Sequence, residues 1–192
     1  MHKPLIPSRS GLTRRAALTG LGAGGLGAAL AARGLAAAQE ATPEAAADLP
    51  PVMQEYIAAW DALDADRLAA TYAEDAVSEN MATGFVLEGR EAIRAYYTAL
   101  FAGFEDLSVP TTNAFATGGW AAAEWTFSGR HTGQVPGWPP PSGNPVTLRG
   151  VGILALADGQ IRGGRDYFDA YGLLVQLGVV PPPAAPAATP PA

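Results

Sequence analysis

The chain predicts an α+β domain, with helices packed on one side of a curved, mainly antiparallel sheet. Three observations carry this. Apolar residues recur at helical spacing early in the body, over residues 52–63 and 93–101. After Gly103 the pattern changes to strands. Those strands are separated by glycine turns, with Asp158-Gly159 the strongest hairpin signal. A length of 192 residues suits one domain with extensions. A body of about 130 residues buries about two-thirds of its unfolded surface, enough for a core and a pocket.

Residues 1–38 read as an export signal. Lys3 and Arg9 make a basic start, and Arg14-Arg15 stands directly before a weakly apolar Ala/Gly/Leu run from Ala16 to Ala32. Arg33 follows, then Leu35-Ala36-Ala37-Ala38, a small-residue cleavage site. The arginine pair, the glycine-diluted run and Arg33 favour a twin-arginine route over a Sec signal. The run is short for a membrane anchor, which needs about 20 apolar residues. Export to the periplasm or the exterior is therefore expected, with no stable membrane contact after cleavage.

Residues 39–50 read as a linker and 51–180 as the domain. Val52, Tyr56, Ala59, Trp60 and Leu63 predict a first amphipathic helix, and Asp64 or Asp66 can cap a short second one through Ala70. Asp75 to Glu79 suits a short strand. Gly89 breaks the chain before the clearest helix, Arg90 to Phe101, whose apolar stripe is Ile93, Tyr96, Tyr97, Leu100 and Phe101. Strands are expected at Leu107–Ala116, Trp120–His131, Val146–Ala157 and Gln160–Asp169. Residues 132–145, rich in proline and glycine around Trp138, predict a rigid irregular loop. A short apolar helical turn with Leu173, Leu174 and Leu177 ends at Gly178. The tail, 181–192, is Pro/Ala-rich and reads as disordered or polyproline-like.

Charge and composition exclude several functions. All 18 acidic residues but only seven of the 12 basic ones lie after Gln39, so residues 40–192 carry 7 − 18 = −11. Such a surface repels nucleic acid and anionic membrane. There is no cysteine, so disulfides and thiolate chemistry are excluded. One histidine after the signal, His131, makes a metal site an unfavoured reading. Ser128 and Ser142 lack a Gly-x-Ser-x-Gly context, and no glycine-rich phosphate loop is present in the body.

Strand alternation nominates the site. Trp125, Phe127, Gly129 and His131 share one face of their strand. Ile161, Gly163, Arg165, Tyr167 and Asp169 share one face of the last strand, with Arg162, Gly164 and Asp166 opposite. If the apolar faces look inward, Asp169 and His131 meet in the interior and Asp166 lies outside. Asp169 is then the candidate acid/base, with His131 assisting. Trp125, Phe127, Tyr167 and Trp138 are candidate ligand contacts, and Asn80 or Glu79 a polar addition. The competing reading of Asp169 is structural: it caps the following turn by accepting the Gly172 or Leu173 amide.

His131-Thr132-Gly133, Gly137, Ser142-Gly143, Asp158-Gly159-Gln160-Ile161, Tyr167-Phe168-Asp169 and Gly172 to Gly178 stand in an order that resembles the SnoaL-like polyketide cyclases, or ester cyclases. Gly89 to Arg94 and Phe104 to Leu107 agree, and the resemblance covers about residues 52–180. It implies the cone-shaped nuclear transport factor 2-like fold, with a small, mostly apolar ligand in the open end. It also implies that an aspartate, matched to Asp169, acts as acid/base in an aldol ring closure without metal or cofactor. His131 then stabilises an enolate or orients the substrate. Two further readings stand beside this: a non-catalytic exported binding protein using the same pocket, and an accessory domain dimerising through the outer sheet face.

Overall fold

The computed structural model describes residues 49–183. The expected signal, linker residues 39–48 and tail residues 184–192 lie outside the described residues.

Helix α1 (Pro51–Asp61) begins with a proline at a position where a missing N–H is harmless. It buries Met53, Tyr56 and Ala59, three residues apart along one stripe. Helix α2 (Ala65–Ala70) is capped by Asp64, whose carboxylate accepts the Arg67 amide at 3.0 Å. Strands β1 (Tyr72–Asn80) and β2 (Phe85–Glu88) form a hairpin that the residue pattern suggests only as a short first strand. Gly84, at φ 72°, supplies its left-handed turn position. Helix α3 (Arg90–Ala102) buries Ile93, Tyr96, Tyr97 and Leu100.

Strands β3 (Phe104–Ser108) and β4 (Thr111–Thr117) replace the single strand expected from Leu107 to Ala116. Val109-Pro110 breaks it, because proline cannot donate to a ladder. Both halves pair with the long β5 (Trp120–His131), β3 beside its end and β4 beside its start. Strand β6 (Pro145–Ala157) pairs along β5 and joins β7 (Gln160–Phe168) through Asp158 and Gly159, both at positive φ as a two-residue hairpin turn requires. Helix α4 (Ala170–Gln176) follows.

The sheet order is β2-β1-β7-β6-β5-β3, with β4 also on β5. Among the described strands, only β1 and β7 are parallel neighbours. Rings from α1 and α3 join inward residues of β5, β6 and β7 in one core: Tyr56, Tyr97, Phe127, Leu148, Leu154 and Ile161 are all buried there. No helix among the described residues is long and apolar enough to cross a membrane.

One irregularity in β7 sets the orientation of the functional strand. Ile161 pairs with Leu156, but Gly163 already pairs with Ala155, so Arg162 is an extra residue in the ladder. Such a bulge reverses the inward–outward parity of everything beyond it. Ile161 and Gly164 are buried, whereas Arg165 and Tyr167 are exposed. The facing expected for Asp166, Tyr167 and Asp169 is thereby inverted.

Candidate active site

Between the helices and the inner sheet face lies a cavity of about 60 Å³. Eight of its fourteen lining residues are aromatic. The sheet contributes Trp125, Phe127 and Phe168, and α1 and α3 contribute Trp60 and three tyrosines, Tyr56, Tyr96 and Tyr97. Trp60 meets Tyr97 edge-on at 5.0 Å, so the helical wall is held by ring contacts. Trp138 reaches in from the loop after β5, and its indole N–H donates to the Tyr96 hydroxyl at 3.3 Å. Trp125, Phe127 and Trp138, three of the candidate ligand contacts, are thus in the cavity wall.

The one carboxyl in this wall is that of Asp166. The residue as a whole keeps partial exposure, but its carboxyl is enclosed, and it is the carboxyl's surroundings that set its proton affinity. Burial pushes its pKa from 3.8 up to about 7, against a smaller lowering by the neighbouring Trp125 indole. Two glycines of β6 make the room. A Cβ on Gly152 would stand 3.0 Å from Asp166 Oδ1, and one on Gly150 would overlap the Trp125 ring. Burial also raises the phenols of Tyr56, Tyr72, Tyr96 and Tyr97, and the Asp166 charge raises each further. These hydroxyls stay protonated across the physiological range and remain able to donate. A carboxyl that titrates near neutrality can both take and return a proton there, which is what general acid–base chemistry needs.

Asp169 is not in the cavity. It is exposed and is the N-cap of α4, accepting the Gly172 amide at 2.9 Å. The capping reading of this residue is therefore the correct one, and the inward reading fails because of the bulge at Arg162. Tyr167 is 42 % exposed on the outer sheet face for the same reason. Asn80 is also away from the cavity. Its side chain accepts the Ala82 and Thr83 amides at 3.2 and 3.1 Å and so holds the turn between β1 and β2.

His131 does share the inner face of β5, and it is fully buried, but it is not in the cavity wall. Asp166 pairs across Gly152 to Ala123, eight residues along β5 from His131. At about 3.3 Å per residue that is about 26 Å of strand. The imidazole stacks on Phe104 at 5.1 Å and lies 5.8 Å from Trp138. Neither ring nitrogen makes a hydrogen bond of good geometry, although the Gly133 backbone is near enough to favour the proton slightly. Loss of hydration dominates and lowers the pKa below 6.5, so His131 is neutral at pH 7. It sits close beneath the surface, enclosed by the loop rather than by depth.

Alternation counted along the sequence misses Asp166 and the phenols around it. A signal was available: Gly163-Gly164 within a strand marks a place where a bulge is tolerated, and a bulge there exchanges Asp166 for Asp169.

The comparisons with known proteins agree with this architecture. The model of the SnoaL-like polyketide cyclase family matches residues 51–177. This chain belongs to that family. Among solved structures, TsrD from Streptomyces laurentii is 29% identical, with a TM-score of 0.58 over 67% of this chain and 93% of that one. A candidate SnoaL-like polyketide cyclase from Jannaschia sp. CCS1 is 25% identical, with a TM-score of 0.59 over 68% and 93%. A hypothetical protein from Catenulispora acidiphila, solved in complex with trimethylamine, has a ketosteroid isomerase-like fold. It is 24% identical, with a TM-score of 0.56 over 68% and 95%, and shows the fold shared. No curated protein matches the chain. The cone-shaped SnoaL-like fold is therefore the fold of this protein.

Proposed function

We propose that this SnoaL-like protein binds a small, mostly apolar carbonyl compound in its cone and acts on it by cofactor-independent acid/base chemistry, of the cyclase or isomerase type. Asp166 is the acid/base in this reading, in place of Asp169. The observation that carries it is a single carboxyl in an aromatic cavity, with a pKa of about 7 and phenols beside it. A buried carboxyl of that kind marks a functional site more often than a stabilising one. Tyr56 and Tyr96 are placed to donate to oxygen charge that develops on the ligand. His131 is assigned no proton-transfer step, being remote from Asp166 along β5.

The test does not depend on which product forms. Exchange of α-protons for deuterium, followed by NMR on a panel of small diketones and cyclic enones, reads proton abstraction directly. Asp166→Asn should slow exchange by about 10²–10⁴, while Asp169→Asn should leave it within a few-fold. Equal exchange by wild type and Asp166→Asn would remove the assignment.

The domain is also proposed to act outside the cytoplasm, on the support of Arg14-Arg15 and the run that follows. The −11 charge of residues 40–192 argues against a nucleic-acid partner. Trp120 and Phe115, exposed by 52 % and 59 %, support self-association as a further proposal.

A further inference from the structure

The cavity wall holds one acid and no base. Its fourteen residues include Asp166 but no Lys, Arg or His. The basic side chains lie elsewhere: Arg165 is turned outward to Glu79 at 2.9 Å, and Arg162 to Asp75 and Asp158 at 3.1 and 3.0 Å. Among the described residues, Asp166 takes part in none of the seven ion pairs. A carboxylate enclosed by apolar walls must either accept a proton or find a cation. Three tryptophans line the same cavity, and of these Trp125 neighbours the carboxyl. Indole is the ring that attracts cations best, and aromatic faces are how alkylated ammonium groups are recognised.

The geometry points to a ligand with a compact alkylammonium head, held against the Trp125 ring and neutralised by the Asp166 carboxylate. This rests on the reading above in one respect, that Asp166 faces the bound ligand, and it adds the ligand's charge. Size agrees. A cavity of about 60 Å³ is well under the 150 Å³ that holds benzene, so it admits a head of a few heavy atoms and leaves the rest of a larger molecule at the mouth. An anionic ligand finds no cation here and meets a carboxylate. A neutral one gains burial and phenol hydrogen bonds but no charge pairing.

Charge pairing makes binding depend on pH through Asp166. Among the described residues, no other group facing it changes charge between pH 5 and 8. Tyr56, Tyr72, Tyr96 and Tyr97 titrate above that range, and the sheet neighbours opposite are Gly152 and, one strand on, Ala123. Glu124, Arg165 and Glu79 are on the outer face. The cation binds the ionised carboxyl, so its affinity should fall about 100-fold from pH 8 to pH 5.

Calorimetry or NMR titration of the full chain with ethylammonium and with ethanol, a neutral probe of the same shape and small enough for the cavity, tests this. Ethylammonium should bind at pH 8 at least tenfold tighter than ethanol, lose about 100-fold by pH 5, and lose at least tenfold in Asp166→Asn. Binding of ethanol should change less than threefold with either. Equal affinity for the two probes at pH 8 would overturn the inference, as would ethylammonium binding unmoved by Asp166→Asn. So would no ethylammonium binding at all. If ethanol alone binds while α-proton exchange still depends on Asp166, the ammonium head falls and the acid/base reading survives.

Discussion

Replacing Asp166 by asparagine should make the protein more stable, and only above acid pH. The native carboxyl holds its proton up to about pH 7, whereas an unfolded aspartate releases it near 3.8. Between those values the folded state binds more protons than the unfolded one, so the stability this group contributes is complete below pH 3.8 and is lost as pH rises to 7. A displacement of that size corresponds to about 4 kcal/mol, with relaxation around the charge reducing it. Asparagine keeps the shape and does not titrate. The stability difference between variant and wild type should therefore grow by roughly 2–4 kcal/mol from pH 4 to pH 8, or about 6–12 °C in Tm at about 3 °C per kcal/mol for a domain of this size. Urea unfolding at pH 4, 6 and 8 measures it directly. His131 is present in both proteins, so its own titration cancels. A difference constant across that range would refute the enclosed carboxyl, and with it the acid/base assignment.

The opposite slope is expected from the histidine. Its native pKa is lowered, so its contribution is present above about 6.5 and is lost as pH falls below that; His131→Phe should flatten the acid limb of the stability curve and be near neutral at pH 8, by the same unfolding assay. Asp169→Ala removes the α4 cap and should cost about 0.5–2 kcal/mol in unfolding experiments without changing α-proton exchange beyond a few-fold. Gly150→Ala forces the Trp125 ring and the Tyr167 carbonyl to move, and should destabilise by about 1–3 kcal/mol, with a shift in tryptophan fluorescence.

Elements with a strong local pattern were legible from residues alone. Trp120–His131 was bounded correctly because glycine turns enclose an alternating run, and α3 because its stripe repeats at helical spacing. The Asp158-Gly159 turn needs positive φ twice, and its residue types say so. Val109-Pro110 was a stop signal for the strand predicted across it, and the split into β3 and β4 follows from the missing amide. Trp125, Phe127 and Trp138 were placed in the pocket wall by facing and by the loop's composition, both local properties.

Three-dimensional pairing decided the rest. Which aspartate enters the cavity depends on one additional residue in β7, and that residue is extra only relative to its partner β6. Alternation is counted modulo two, so a single unpaired Arg162 exchanges Asp166 for Asp169 while leaving every local propensity unchanged. His131 and the acid lie on one inner face, yet eight residues of β5 separate them, a distance set by where β7 lands on β6. Amino-acid order carries periodicity, charge and turn chemistry. It does not carry ladder register, because register is a relation between segments that meet only after the chain has folded.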